Sequence, residues 1–177
     1  MKTDLKRLFI TTCIILSSYT VFAEIPGIIP VNNSLYAEEC GACHFAYQPG
    51  LMPARSWQKI MKNLDNHFGD NAELDTEDQQ LLTNYLIYNS AESSIYRHST
   101  NVDSSIAWNK IPLRVSKIPY IRFQHDDFMT DMLKDNPKIK SRSYCDDCHT
   151  KAEAGIYADG IDIPGYGKWD MHSCMKF

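Results

Sequence analysis

Cys40-Gly41-Ala42-Cys43-His44 and Cys145-Asp146-Asp147-Cys148-His149 place two thiols three positions apart with an imidazole directly behind, twice in a chain of 177 residues. No other feature constrains the fold as strongly, because whatever the thiols hold must sit inside both halves of the molecule. Three chemistries use such a thiol pair. Zinc ribbons gather two pairs into one four-thiolate site. Thioredoxin-like enzymes set one pair at a helix N-terminus, which lowers the thiol pKa. Covalent haem attachment uses both sulfurs for thioether links and the next histidine as proximal iron ligand. Only the third accounts for a histidine behind both pairs. On about one helical turn the sulfurs reach two vinyl groups, and the histidine swings beneath the iron. The expectation is two covalently bound c-type haems, attached through Cys40, Cys43, Cys145 and Cys148, with His44 and His149 on the irons.

The start of the chain agrees with that chemistry. Lys2, Lys6 and Arg7 precede an apolar stretch from Leu8 to about Leu16, and Val21-Phe22-Ala23 offers small residues for cleavage. This reads as a signal peptide over residues 1–23, and the apolar run is too short and too broken by Thr11, Thr12, Ser17 and Ser18 to span a bilayer. A periplasmic protein without a membrane span is expected, in a compartment where haem of this kind is attached. Removing the leader leaves 15 Lys+Arg against 21 Asp+Glu, a net −6 that argues against nucleic acid or an anionic membrane as partner. Five cysteines remain, an odd number that does not suit a pure disulfide framework.

Helix signals cluster around the first motif. Asn33 or Ser34 caps a helix carrying Leu35, Tyr36 and the motif itself, and Pro49-Gly50 breaks it. Pro53 opens a second helix in which Trp57, Ile60, Met61, Leu64 and Phe68 follow the spacing of one apolar face, with Gly69 as its stop. Asp75 to Gln79 supplies the cap of a third, with Leu81, Leu82, Tyr85 and Leu86 inward. Three helices around one haem describe a class I cytochrome c-like domain, placed at residues 24–92. Residues 93–110, rich in Ser and Asn and weakly periodic, read as a linker. Residues 111–177 make a small second haem domain. In it Pro119 begins a helix carrying Ile121, Phe128, Met129, Met132 and Leu133, and Asn136-Pro137 ends that helix. Gly155, Gly160, Pro164, Gly165 and Gly167 then predict irregular backbone. The fold class is mainly α, with an irregular C-terminal part whose apolar interior is largely its cofactor.

The stretches CGACHFAYQPGLMPARSW (40–57), HFGDNAELD (67–75) and CHTKAEAGIYADGIDIP (148–164) resemble the dihaem cytochrome c family known as DHC. The resemblance runs from about Ala37 to Pro164. It implies a class I cytochrome domain, a less regular second haem domain, bis-histidine ligation at both irons and a role in electron transfer. Some members serve a small oxygen-binding monohaem cytochrome, and a membrane cytochrome is the other partner considered. The tail GYGKWDMHSCMKF (165–177) lies outside the resemblance, and Cys174 stays open between a free thiol and an intermolecular disulfide.

The sixth ligands must come from His67, His98, His125, His172 or a methionine. His67 lies on the apolar face of the second helix, three residues past Leu64, and precedes the third helix, where class I cytochromes hold their sixth ligand. His125 lies four residues past Ile121 and three before Phe128, pointing with an apolar stripe. His98, in the polar linker, reads as solvated, and His172 is the chief rival. The reading is an electron carrier with metal ligands His44, His67, His125 and His149, not an enzyme. The rival is a small peroxidase or gas reductase whose second iron opens when His125 leaves. A gas sensor would need a signalling domain that the chain does not display.

Overall fold

The computed structural model describes residues 24–126, 130–133, 135–157 and 161–169. The expected leader, Phe128, Met129, His172 and Cys174 lie outside the described residues.

Helix α1, Ser34–Gly41, starts where the Asn33 side chain accepts a hydrogen bond from the Tyr36 amide at 2.9 Å. It stops inside the first thiol motif, so Cys40 is on the helix while Cys43 is exposed beyond it. Helix α2 covers Ala54–Met61, with Pro53 as its cap rather than its first residue. Trp57 and Met61 are buried, and the Trp57 indole donates to the Pro49 carbonyl at 2.8 Å. The helix ends well before Gly69, the stop expected from the sequence. Asn63 turns its side-chain amide back onto the Lys59 carbonyl at 3.0 Å, and a tight turn, Leu64–Asn66, follows. His67 is therefore held by a loop and not by a helical face. Next to it Phe68 adopts a φ of 59° with its side chain 45 % exposed. Few bulky residues sit in that left-handed region.

Helix α3, Thr76–Tyr88, is capped by Asp75, which accepts from the Asp78 amide at 2.9 Å. Leu82 and Leu86, one turn apart, are buried against α2. Leu81 is 53 % exposed, contrary to its inward assignment, because it lies roughly 100° around the helix from that stripe.

The stretch read as a linker carries helix α4, Arg97–Ser105. Its inward face is small and mostly polar, which hides it from a hydrophobic pattern: Val102 and Ser99 are fully buried. Ser99 packs so closely on Gly50 that a Cβ there would lie 2.4 Å from its hydroxyl. Ile106, Val115 and Ile118 then join the same core as Tyr36, Trp57, Leu82 and Leu86. Helix α5 is Pro119–His125, and a short α6, Thr130–Leu133, follows.

The C-terminal part is less irregular than its glycines suggest. Strands β1, Ile161–Ile163, and β2, Gly167–Trp169, pair antiparallel with Ile161 opposite Trp169 and Ile163 opposite Gly167. The glycines make the turn: Gly165 and Gly167 have φ of 87° and 85°. Met132, Ile161 and Ile163 form a small separate cluster there.

The N-terminal residues 24–31 act as a strap. The amides of Gly27 and Ile28 donate to the Gly155 carbonyl at 2.9 and 3.3 Å, and the His98 amide donates to the Gly27 carbonyl at 2.8 Å. Ile28 is buried in the main core. Gly155 has a φ of 73°, and a Cβ on it would lie 2.1 Å from the Ile28 carbonyl oxygen, so only glycine fits. Among the described residues no helix is long and apolar enough to cross a membrane.

Candidate functional sites: two clefts with facing imidazoles

Around the first motif, the His44 ring donates from Nδ1 to the Phe45 carbonyl at 2.8 Å. A carbonyl only accepts, so Nδ1 carries a proton and Nε2 is the nitrogen left to meet a metal. The His67 ring stands opposite, 6.2 Å away between centroids and inclined by 18°. Burial, then His44 and Arg114, lower the His67 pKa against a smaller pull from Asp70, which favours the neutral, ligating form. Tyr47 lies 5.3 Å from His44 between ring centroids. Phe68 stands edge-on to His67 at 4.8 Å, and the Arg114 guanidinium lies 4.0 Å over the Phe68 ring. A cavity of about 460 Å³ opens beside His44, lined also by Phe45, Gln48, Tyr144 and Asp146.

The second site repeats the plan with different supports. Cys145–Asp147 is a tight turn, and the His149 Nδ1 donates to the Tyr157 carbonyl at 3.0 Å. His125, the last residue of α5, donates from Nδ1 to the Ile121 carbonyl at 2.6 Å, so it too presents Nε2 outward. The His125 and His149 rings are 5.9 Å apart at 77°. Burial, then His125, lower the His149 pKa to about 4, keeping it neutral. Two cavities of about 320 and 520 Å³ flank this pair, and Val115, Ile121, Cys145 and Ile161 border both. They are lobes of one slot of the size in which cofactors are held.

The separation of the rings is the informative quantity. Two imidazoles bound through Nε2 at about 2 Å to one metal have centroids about 6 Å apart. Both pairs meet that spacing. The four motif thiols are free, and burial pushes Cys145 up to about 12 and Cys40 up to about 11. The zinc alternative fails on geometry, since among the described residues no three His, Cys, Asp or Glu side chains converge on one point.

Each ligand candidate named from sequence falls in one of the two clefts, apart from His172, which is not described. His98 was misread. It is half-buried, lines the second slot with His125 and His149, and shares a 2.7 Å hydrogen bond between its Nδ1 and the Tyr120 hydroxyl. The available signal was its position one turn before Val102, the apolar residue of α4. Arg114 was missed altogether. The two sites also touch. The Tyr144 hydroxyl donates to the Cys43 carbonyl at 2.6 Å, and the Gln48 amide donates to the Ala152 carbonyl at 2.6 Å. The Tyr157 hydroxyl donates to Gln48 Oε1.

Paired thiols, each pair followed by one imidazole and faced by another, are the donor set of a multihaem c-type cytochrome. The family model for dihaem cytochrome c matches residues 36–157. A dihaem cytochrome c from Rhodobacter sphaeroides is 38 % identical, with 73 % of this chain and 99 % of that one covered and a TM-score of 0.65. The dihaem cytochrome type c from Shewanella baltica OS155 is 36 % identical over 82 % of this chain and all of that one, with a TM-score of 0.64. No curated protein matches the chain. The chain belongs to the dihaem cytochrome c family. It binds two covalent c-type haems, and its role is electron transfer.

Proposed function

We propose that the protein is an exported, periplasmic electron carrier in which His44 with His67 and His125 with His149 ligate the two irons. The single observation behind this is the pair of facing imidazoles at 6.2 and 5.9 Å. Bound haem supplies one-electron exchange at iron. The chain's own contribution would be to hold each haem iron between two imidazoles, with His44, His125 and His149 oriented by Nδ1 hydrogen bonds to backbone carbonyls. Two imidazoles on each iron would leave no position there for a substrate, which suits a carrier rather than an enzyme. Imidazole pairs favour Fe(III) relative to a thioether ligand, so both potentials fall below those of His/Met cytochromes. Export rests on the leader read at residues 1–23, and redox proteins are the partners.

Electron paramagnetic resonance and carbon monoxide titration of the two-haem protein test the ligands. Native protein is fully low-spin and does not bind carbon monoxide. His67→Ala and His125→Ala each convert one haem alone to high-spin, ligand-accessible iron. Carbon monoxide binding by the native protein would move the enzymatic reading ahead. N-terminal sequencing of protein from the periplasmic fraction should begin at Glu24.

A further inference from the structure

Charge along this chain is not evenly spread. Between Asp103 and Asp126 there is no acidic residue, while Lys110, Arg114, Lys117 and Arg122 supply four cations, in a chain of formal charge −4. All four are exposed. Interleaved with them are large apolar side chains left in solvent: Trp108 is 88 %, Ile111 51 % and Phe123 73 % exposed. Arg55 on α2 donates to the Lys110 carbonyl at 2.7 Å, adding a fifth cation beside this ribbon.

The ribbon borders both haem sites. At its middle Arg114 covers Phe68, whose ring stands against His67. The next residues, Val115 to Lys117, and Arg122 line the slot of the second site. Phe68 is the residue with a left-handed backbone, a conformation that persists only where its surroundings over-determine it and that concentrates at functional positions. Half-exposed aromatics, aliphatic side chains and arginine are what protein-binding surfaces are enriched in. Acidic groups border this face as well: Asp70, which acts on His67, Asp146, which shares Tyr47 with Arg114, Glu92, whose carboxylate accepts from the Ala54 amide beside Arg55, and Asp126 at the end of α5.

We propose that residues 108–123, with Phe68 and Arg55, are the docking surface for a redox protein that presents an acidic rim around an apolar centre. This rests on the carrier reading above and departs from the net charge, which by itself favours a partner with a basic or neutral patch. Docking there sets the partner's redox centre beside the Phe68–His67 edge of the first site and the mouth of the second. The haem carboxylates add negative charge wherever they emerge, so salt dependence reads the sum and charge reversal reads the ribbon's share.

The test uses the reduced protein with both haems attached and two inorganic oxidants, anionic ferricyanide and cationic tris(phenanthroline)cobalt(III). Raising ionic strength from about 10 to about 200 mM should slow ferricyanide about three-fold or more and speed the cobalt complex. A double variant, Lys110→Glu with Arg114→Glu, should invert both trends, while Lys168→Glu on β2 should leave them as in wild type. Reduced acidic flavodoxin, the macromolecular probe, should pass an electron to the oxidised double variant at least about five-fold more slowly than to the oxidised native protein at low salt. Ferricyanide speeding up with salt in the native protein, or a double variant indistinguishable from Lys168→Glu, overturns the surface while leaving the carrier reading intact. Equal binding of native protein and the double variant to the flavodoxin overturns it as well. If neither oxidant takes an electron, the carrier reading fails and the surface fails with it.

Discussion

The first haem site is built on helices α1, α2 and α3, whose buried side chains Tyr36, Trp57, Met61, Leu82 and Leu86 belong to one cluster. The second has α5, two tight turns and a hairpin, and a separate cluster of only Met132, Ile161 and Ile163. Yet the more perturbed imidazole is in the second, where His149 falls to about 4. The small half achieves that by leaning on its neighbour. Gln48 and Cys43 of the first site receive or make hydrogen bonds with Ala152, Tyr157 and Tyr144 of the second. A unit with little core of its own can hold a buried site when its polar backbone is tied into a larger core beside it.

The two sites also differ in the twist of their imidazoles, 18° at the first and 77° at the second. Near-parallel and crossed ring planes give distinct low-spin resonance signals, so each haem can be followed separately in what comes next.

The largest effect is expected from Trp57→Ala. Removing a buried aromatic costs about 3–5 kcal/mol, and here it also takes away the indole bond to the Pro49 carbonyl, which keeps only the Met52 amide. Because the second site leans on the first, both low-spin signals should disappear together on heating, at a lowered Tm. Retention of the crossed-plane signal after loss of the parallel one would break the dependence argued above.

Acid should act next, and more on the second site. The folded chain holds His149 at about 4 against 6.5 for an ordinary imidazole, so below 6.5 the unfolded chain binds a proton that the fold refuses. Stability is therefore intact above 6.5 and falls through the window down to about 4, by about 3 kcal/mol in all. Urea midpoints at neutral pH and near pH 4 should show the loss. A pH-independent midpoint would contradict the burial of that imidazole.

Gln48→Ala sharpens the comparison from the other side. Gln48 lies in the first half, but its amide serves Ala152 and Tyr157. The Tyr157 hydroxyl loses its acceptor and the Ala152 carbonyl keeps only the Gly155 amide, at about 1–3 kcal/mol. The crossed-plane signal should be lost at lower urea than in wild type while the parallel one shifts less. Leu81→Ala is the smallest change: an exposed helix position should alter stability by no more than about 0.5 kcal/mol by calorimetry.

Much of this was legible from the residue pattern. The thiol motifs needed no fold to be read, since their spacing is fixed by the cofactor. The caps Asn33 and Asp75 followed from local hydrogen bonding, and Leu82 and Leu86 from helical period. What stayed hidden depends on contacts distant in sequence. Helix α4 buries a serine against a glycine, which no hydrophobic count detects, and His98 went with it into the supposed linker. The end of α2 was set by Asn63 reaching back to Lys59, a choice that the apolar stripe through Leu64 and Phe68 outweighs on paper. The β-hairpin is too short for alternation to register.

The strap adds a question of timing. Glu24 and Lys151, joined by an ion pair, are 127 residues apart in sequence, and the neighbouring Gly27 waits on Gly155 in the same way. Closing so long a loop is slow compared with forming α1 to α3, whose contacts are local. The earliest described residues of the chain are therefore among the last to be fixed. Until the second thiol motif has been made and has folded back, the berth of Ile28 beside α4 stays open, and the N-terminal end hangs free at the side of a half-finished molecule. Chain order thus gives this protein a natural assembly sequence, in which the first cofactor can be enclosed while the doorway to the second still stands ajar.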